Sequence, residues 1–216
     1  MIEFLPVIFF LVAVIYSSAG FAGGSSYLAL MFLFNFPVAQ ASVLALILNI
    51  LVSLIGTNMF VMNKELDFGE LKWLLAGSLP AAYVGGSISL PRETLKLVLG
   101  IILLFCAIWI FVTSFERSKT TWQAIKSSGK LVCLGIIIGF LSGLVGIGGG
   151  IFLAPVFLML SWGSGKKLSA LTSAFILCNS LAALGGKATH FRDIYVLLDY
   201  RYLLLAVVAG GFVGPY

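Results

Sequence analysis

Seven apolar runs succeed one another along this chain, near residues 4 to 34, 38 to 62, 71 to 90, 94 to 114, 130 to 160, 168 to 186 and 201 to 216, with charged residues confined to the gaps and run ends. About 20 mainly apolar residues form a helix long enough to cross a bilayer. In lipid every backbone N–H and C=O must find its partner within the protein, and a helix satisfies them inside one segment. Composition removes the soluble alternative: of 216 residues, 61% are hydrophobic and 10% charged, with a mean hydropathy of +1.13. A soluble domain carries about a quarter charged residues, and this chain has too few to face water on every side. The expected fold class is an all-α polytopic membrane protein of about seven transmembrane segments.

The charge of +5 arises from 13 Lys and Arg against 8 Asp and Glu, clustered between the runs as loops at an anionic membrane face would be. No basic stripe is interleaved with solvent-facing aromatics, which excludes nucleic-acid binding. Cys106, Cys133 and Cys178 lie inside apolar runs without metal-ligand spacing, so neither a metal site nor a disulfide frame is expected. No Gly-x-x-x-x-Gly-Lys-Ser/Thr sequence occurs, and the glycine clusters follow no strand, so nucleotide cofactors are not expected either. The lone His190 sits with Lys187 and Arg192 at the end of the sixth run, an interfacial position from which it cannot serve a serine in the bilayer. No catalytic residue is assigned, and an enzyme is not the reading. Asp, Glu, Lys and Arg are missing from the centres of the runs, so carboxylate-based proton coupling is not supported. Phe4 to Ile15 followed by Ser17, Ser18 and Ala19 imitates a signal peptide, but no Lys or Arg precedes it.

If each run crosses once from a cytoplasmic N-terminus, the inner loops hold Lys64, Lys72, Arg117, Lys119, Lys126, Lys130, Lys187, Arg192 and Arg201. The outer loops then hold Arg92, Lys96, Lys166 and Lys167. This obeys the positive-inside rule and predicts a multi-pass protein of the bacterial inner membrane with its N-terminus in the cytoplasm.

The first and fifth runs are too long for one straight span, and each is cut by glycine: Gly20, Gly23 and Gly24 in one, Gly143, Gly146, Gly148, Gly149 and Gly150 in the other. Gly20 to Gly24 aligns with Gly146 to Gly150 at a shift of 126. At a shift of 130, Ser42 meets Thr172, Asn49 meets Asn179 and Gly56 meets Gly186; at 129, Lys72 meets Arg201 and Gly85 meets Gly214. The chain therefore reads as two repeated helical halves, each beginning with a glycine-broken helix. Residues 1–114 form the first repeat, 115–129 a cytoplasmic linker, and 130–216 a second repeat that is expected to lack its last helix, which implies either a truncated chain or a partner, such as a second copy, that covers the face so exposed. Repeats of four spans would be parallel, odd-numbered ones inverted, and both arrangements remain open.

The Gly146 to Pro155 stretch, its degenerate copy at Gly20 to Ala29 and the Ser/Thr-rich second helices resemble the TauE/SafE family of anion exporters, over nearly the whole sequence. That resemblance implies a polytopic inner-membrane permease for small organosulfur anions, such as sulfite or organosulfonates. The two clusters differ, Gly-Phe-Ala-Gly-Gly-Ser-Ser against Gly-Ile-Gly-Gly-Gly-Ile-Phe, so a site lined by both would have unlike sides.

Close packing of helices accounts for many of the 24 glycines, since small residues let backbones approach. It accounts less well for matched interruptions, which point to a transporter binding site. A helix broken in mid-membrane frees N–H groups and places a partial positive charge at its N-terminus, an anion site without a charged side chain. The residues expected to bind a small anionic solute are Gly20, Gly23, Gly24, Ser25, Ser26, Ser42 and Asn49 in the first half and Gly146, Gly148, Gly149, Gly150, Thr172, Ser173 and Asn179 in the second, with Ser17, Ser18 and Ser142 nearby. The bland alternative for Asn49 and Asn179 is interhelical hydrogen bonding. A passive anion channel is the rival to a carrier, because broken helices also line pores.

Overall fold

A computed structural model describes residues 4–66, 68–115, 128–153, 156, 165–188 and 199–214. His190, Arg192 and most of the linker lie outside them. Among the described residues, eight helices run in the order α1 (Leu5–Ser18), α2 (Gly24–Leu33), α3 (Val38–Met62), α4 (Phe68–Ser87), α5 (Arg92–Phe115), α6 (Ser128–Val145), α7 (Gly165–Lys187) and α8 (Arg201–Val213). A further helical segment opens at Gly150. Among the described residues, Val38–Met62, Arg92–Val112, Ser128–Val145 and Gly165–Lys187 are long and apolar enough to cross a membrane.

Both long runs are broken where the glycines stand, and each break begins as a helix C-cap. The N–H of Phe21 donates to the Tyr16 carbonyl around Gly20, and that of Ile147 to the Ser142 carbonyl around Gly146. This cap needs a left-handed residue after the helix, which glycine adopts at no steric cost. Gly20 has φ +79° and Gly146 φ +86°. A further left-handed glycine, Gly23 in one break and Gly149 after Gly148 in the other, then directly precedes the next helix.

Helix directions follow from which residues touch. Along α3 and α7, Gly56 faces Ser173, Ser42 and Lys187 meet around Gly146, and Lys166 pairs with Glu65 at 3.7 Å, so the two helices are antiparallel. α4 and α6 run parallel, with Gly77 on Val132 and Gly85 on Phe140. α1 and α8 also run parallel, with Gly210 on Ala13 and Gly214 on Ser17. α8 starts where Tyr200 donates to Gln40 Oε1, beside the start of α3, whereas α1 ends against Ser169 near the start of α7. α1 thus descends from the end of the bundle marked by Lys187 towards the end marked by Lys166, and α2 climbs back to Asn35, which accepts a hydrogen bond from Arg92. The first run bends back on itself. Single crossings would place Glu65 and Lys166 on opposite faces; the structure puts them together, because the glycine caps reverse the chain.

The α4–α6 seam shows what most of the glycines do. Cβ atoms at Gly135, Gly139 and Gly143 would lie 2.1–2.2 Å from the carbonyl oxygens of Leu74, Ser78 and Ala82. Three glycines four apart keep one face of α6 bare, which lets the backbones touch. α5 is a lipid-facing helix: Leu95, Leu99, Ile102 and Cys106 are buried, while Leu97, Ile101, Leu104, Phe105, Ile108 and Phe111 on its other side are exposed and equally apolar. A helix apolar all round belongs in lipid.

Candidate substrate-binding site

The two breaks share a cavity of about 250 Å³, lined by Tyr16, Phe21, Ala22, Gly23, Gly24, Ser25, Asn49, Ile110, Ile147, Gly150, Ile151 and Ile176. Asn49 is the twelfth residue of the 25-residue α3, so this cavity lies near the middle of a long helix. Its amide donates to the Ile147 carbonyl at 3.0 Å, tying α3 to the second break. The Asn49 side-chain oxygen, Oδ1, is buried and meets no partner among the described residues. Gly24 and Gly148 leave Asn49 its room: a Cβ on Gly24 would stand 2.1 Å from Nδ2, and one on Gly148 2.8 Å from it.

α2 opens on this cavity with Gly23 as its N-cap and no side chain capping its first turn. Its first internal bond is Tyr27 N–H to Gly23 C=O, which leaves the N–H groups of Gly24, Ser25 and Ser26 outside the helical ladder. The segment opening at Gly150 begins alike, with Phe152 N–H donating to Gly149 C=O. The N-terminus of α2 therefore adjoins the cavity, bringing partial positive charge, and the helical turn opening at Gly150 adjoins the same cavity with its own first N–H groups.

The expected donors divide into three groups. Gly23, Gly24, Ser25, Asn49 and Gly150 line the cavity. Ser26 donates to the hydroxyl of Tyr16, one of the lining residues, at 2.8 Å, while Gly148 and Gly149, between the lining residues Ile147 and Gly150, pack on Ser180 and Phe175. The rest are structural or lie elsewhere. Ser173 donates to the Gly20 carbonyl at 2.9 Å, and Ser169 to that of Ala19 at 3.0 Å, so α7 hydroxyls satisfy the end of α1. Thr172, Ser142 and Asn179 donate to carbonyls of their own helices, as do Ser17 and Ser18. Ser42 lines a second cavity and Gly146 packs against this serine. Serine and threonine hydroxyls spend themselves on nearby backbone carbonyls wherever lipid offers no water. The sequence reading missed Tyr16, Phe21, Ile110, Ile147 and Ile176 as lining residues; apolar side chains carry no signal of this kind in an apolar sequence.

Comparison with known proteins bears on the whole chain. Residues 5–216 match the family described as Sulfite exporter TauE/SafE. A protein of Sinorhizobium fredii (strain NBRC 101917 / NGR234), named probable membrane transporter protein y4hK, is 36% identical over 212 residues, covering 97% of this chain and 85% of its own. Probable membrane transporter protein YjnA of Bacillus subtilis (strain 168) is 26% identical over 187 residues, covering 79% and 72%. No solved structure matches significantly. With helices that are apolar on their outer faces and two glycine-capped breaks around an inner cavity, the chain belongs to the TauE/SafE sulfite exporter family.

Proposed function

We propose that the protein is a membrane carrier for small organic or sulfur oxyanions, such as sulfite or organosulfonates, exported through the cavity between the two glycine breaks. One observation carries this reading: α2 and the segment opening at Gly150 both start at that cavity. Neither start needs a charged side chain to favour a negative solute, because the N–H groups of the first turn supply the attraction. The family and the relatives' names support transport as such; the anion and the direction are inferences. In proteoliposomes, uptake of one or more of a panel of sulfur and carboxylic anions should saturate with concentration and show no unitary currents. Single-channel currents would instead establish the passive channel.

The carrier is proposed to be built from inverted repeats. Gly20 of the first break lies on Ser169 of α7, and Gly146 of the second lies on Ser42 of α3. Reciprocal contacts of this kind, between helices of opposite direction, suit a pseudo-two-fold axis in the membrane plane. With hairpins at both breaks, the start of α1 shares the end of the bundle that holds Arg92, Lys96, Lys187 and Arg201. Lys64, Lys72, Lys130 and Lys166 gather at the other end, where α5 stops and α6 begins, and with Arg117, Lys119 and Lys126 lying between those two helices in the sequence, that end is assigned to the cytoplasm. A tag at Met1 should therefore react from outside intact cells, while one inserted after Ser118 should not. Both tags reading inside would restore the single-crossing topology.

A further inference from the structure

A second cavity of about 210 Å³ lies between the start of α3 and the end of α7, with Ser42, Gly86, Ser89, Leu144 and Lys187 in its lining. Lys187 is the one charged side chain in that lining, and it is partly buried at the last position of α7. No carboxylate among the described residues pairs with it; Glu93 and Glu65 are engaged with Lys96 and Lys166. A cation drawn into a small cavity without a counter-charge favours an anion there, since water screens the attraction less than at an open surface. Ser42 and Ser89 add hydroxyl donors.

The position relates this cavity to the first. Ser42 precedes Asn49 by seven residues on α3, two turns or about 10 Å along one face. Between them stands the Gly146–Gly148 elbow: a Cβ on Gly146 would meet Ser42 at 3.1 Å and the Lys187 Cε at 3.2 Å, and the carbonyl of the next residue, Ile147, holds Asn49. The elbow is the partition between a charged outer chamber and an uncharged inner one.

We propose that the Lys187 cavity is an oxyanion-binding vestibule at the outer end, which exchanges anions with the inner cavity across the Gly146–Gly148 elbow. The role of exchange rests on the carrier reading; anion binding at Lys187 does not. The test measures binding of sulfate and methanesulfonate to the purified full-length protein in phosphatidylcholine nanodiscs, and uptake of the same ions in proteoliposomes. Lys187→Gln should weaken binding about tenfold and raise the KM of uptake to match, with Vmax within about twofold. Lys187→Arg should restore both. Ser89→Asp, at an exposed loop position that keeps the lysine, should reproduce the loss by supplying an internal carboxylate. Wild-type affinity in both Lys187→Gln and Ser89→Asp would overturn the vestibule, and if uptake persisted the carrier would stand. Lys187-dependent binding without uptake would keep the anion site and overturn the carrier. A wild-type protein that neither binds nor carries these ions would overturn both. Adding phosphatidylglycerol to the nanodiscs should leave sulfate affinity unchanged; a marked loss would assign the cavity to a lipid headgroup and overturn the proposal.

Discussion

Proteoliposomes carrying Gly24→Val or Gly149→Val are expected to lose anion uptake about a hundredfold, while both proteins still insert and purify. A Cβ on Gly24 would fall 2.1 Å from Asn49 Nδ2 and 2.6 Å from Oδ1. The asparagine would have to leave the Ile147 carbonyl, and the added methyl groups would fill the mouth of α2 where its N–H groups meet the cavity. At Gly149 the cost is conformational as well as steric, since φ is +85° and a Cβ would stand 2.9 Å from the Phe175 ring. Overpacking costs about 1–3 kcal/mol, and the upper part of that range corresponds to about two factors of ten. Gly24 lines the cavity and Gly149 directly precedes the lining residue Gly150, so the loss should show in uptake more than in stability. If both variants carry anions at the wild-type rate, the binding site is not between the breaks.

A glycine in the α4–α6 seam should behave in the opposite way. Gly139→Leu places a Cβ 2.2 Å from the Ser78 carbonyl oxygen, and a backbone atom cannot swing aside as a side chain can. The helices must separate along the seam that Gly135, Gly139 and Gly143 hold closed. The expected result is a melting temperature in detergent lower by about 10 °C, or no folded protein at all. Gly100→Ala, on the lipid-facing α5 with nothing within 4 Å of the added atom, is the control. It should be neutral or slightly stabilising, because alanine loses less backbone freedom in a helix. A Gly139→Leu protein that melts like the wild type would show that the seam does not depend on backbone contact.

These paired variants separate two uses of glycine that the sequence writes identically. In the seam, glycine is a missing side chain; in the breaks, Gly20, Gly23, Gly146, Gly148 and Gly149 supply positive φ. Spacing hints at the difference, because Gly135, Gly139 and Gly143 recur every four residues within a helix. The break glycines crowd together and repeat 126 residues apart.

The sequence by itself determined the lipid-facing helical class, the ends of the long helices to within a few residues, and the two places where helices stop. Those features are local: apolar length, charge at run ends and glycine at a left-handed cap are each written in a few neighbouring residues. Contacts between distant segments decided the rest. Ser173 could have faced a solute, yet it donates to Gly20, and Lys166 lies beside Glu65 rather than across the bundle from it. Lys187 reads as an ordinary loop-edge charge until α3, α4, α6 and α7 close a cavity around it. A hydroxyl takes the nearest carbonyl that the fold offers, and a cation's surroundings are made by helices far from it in the chain.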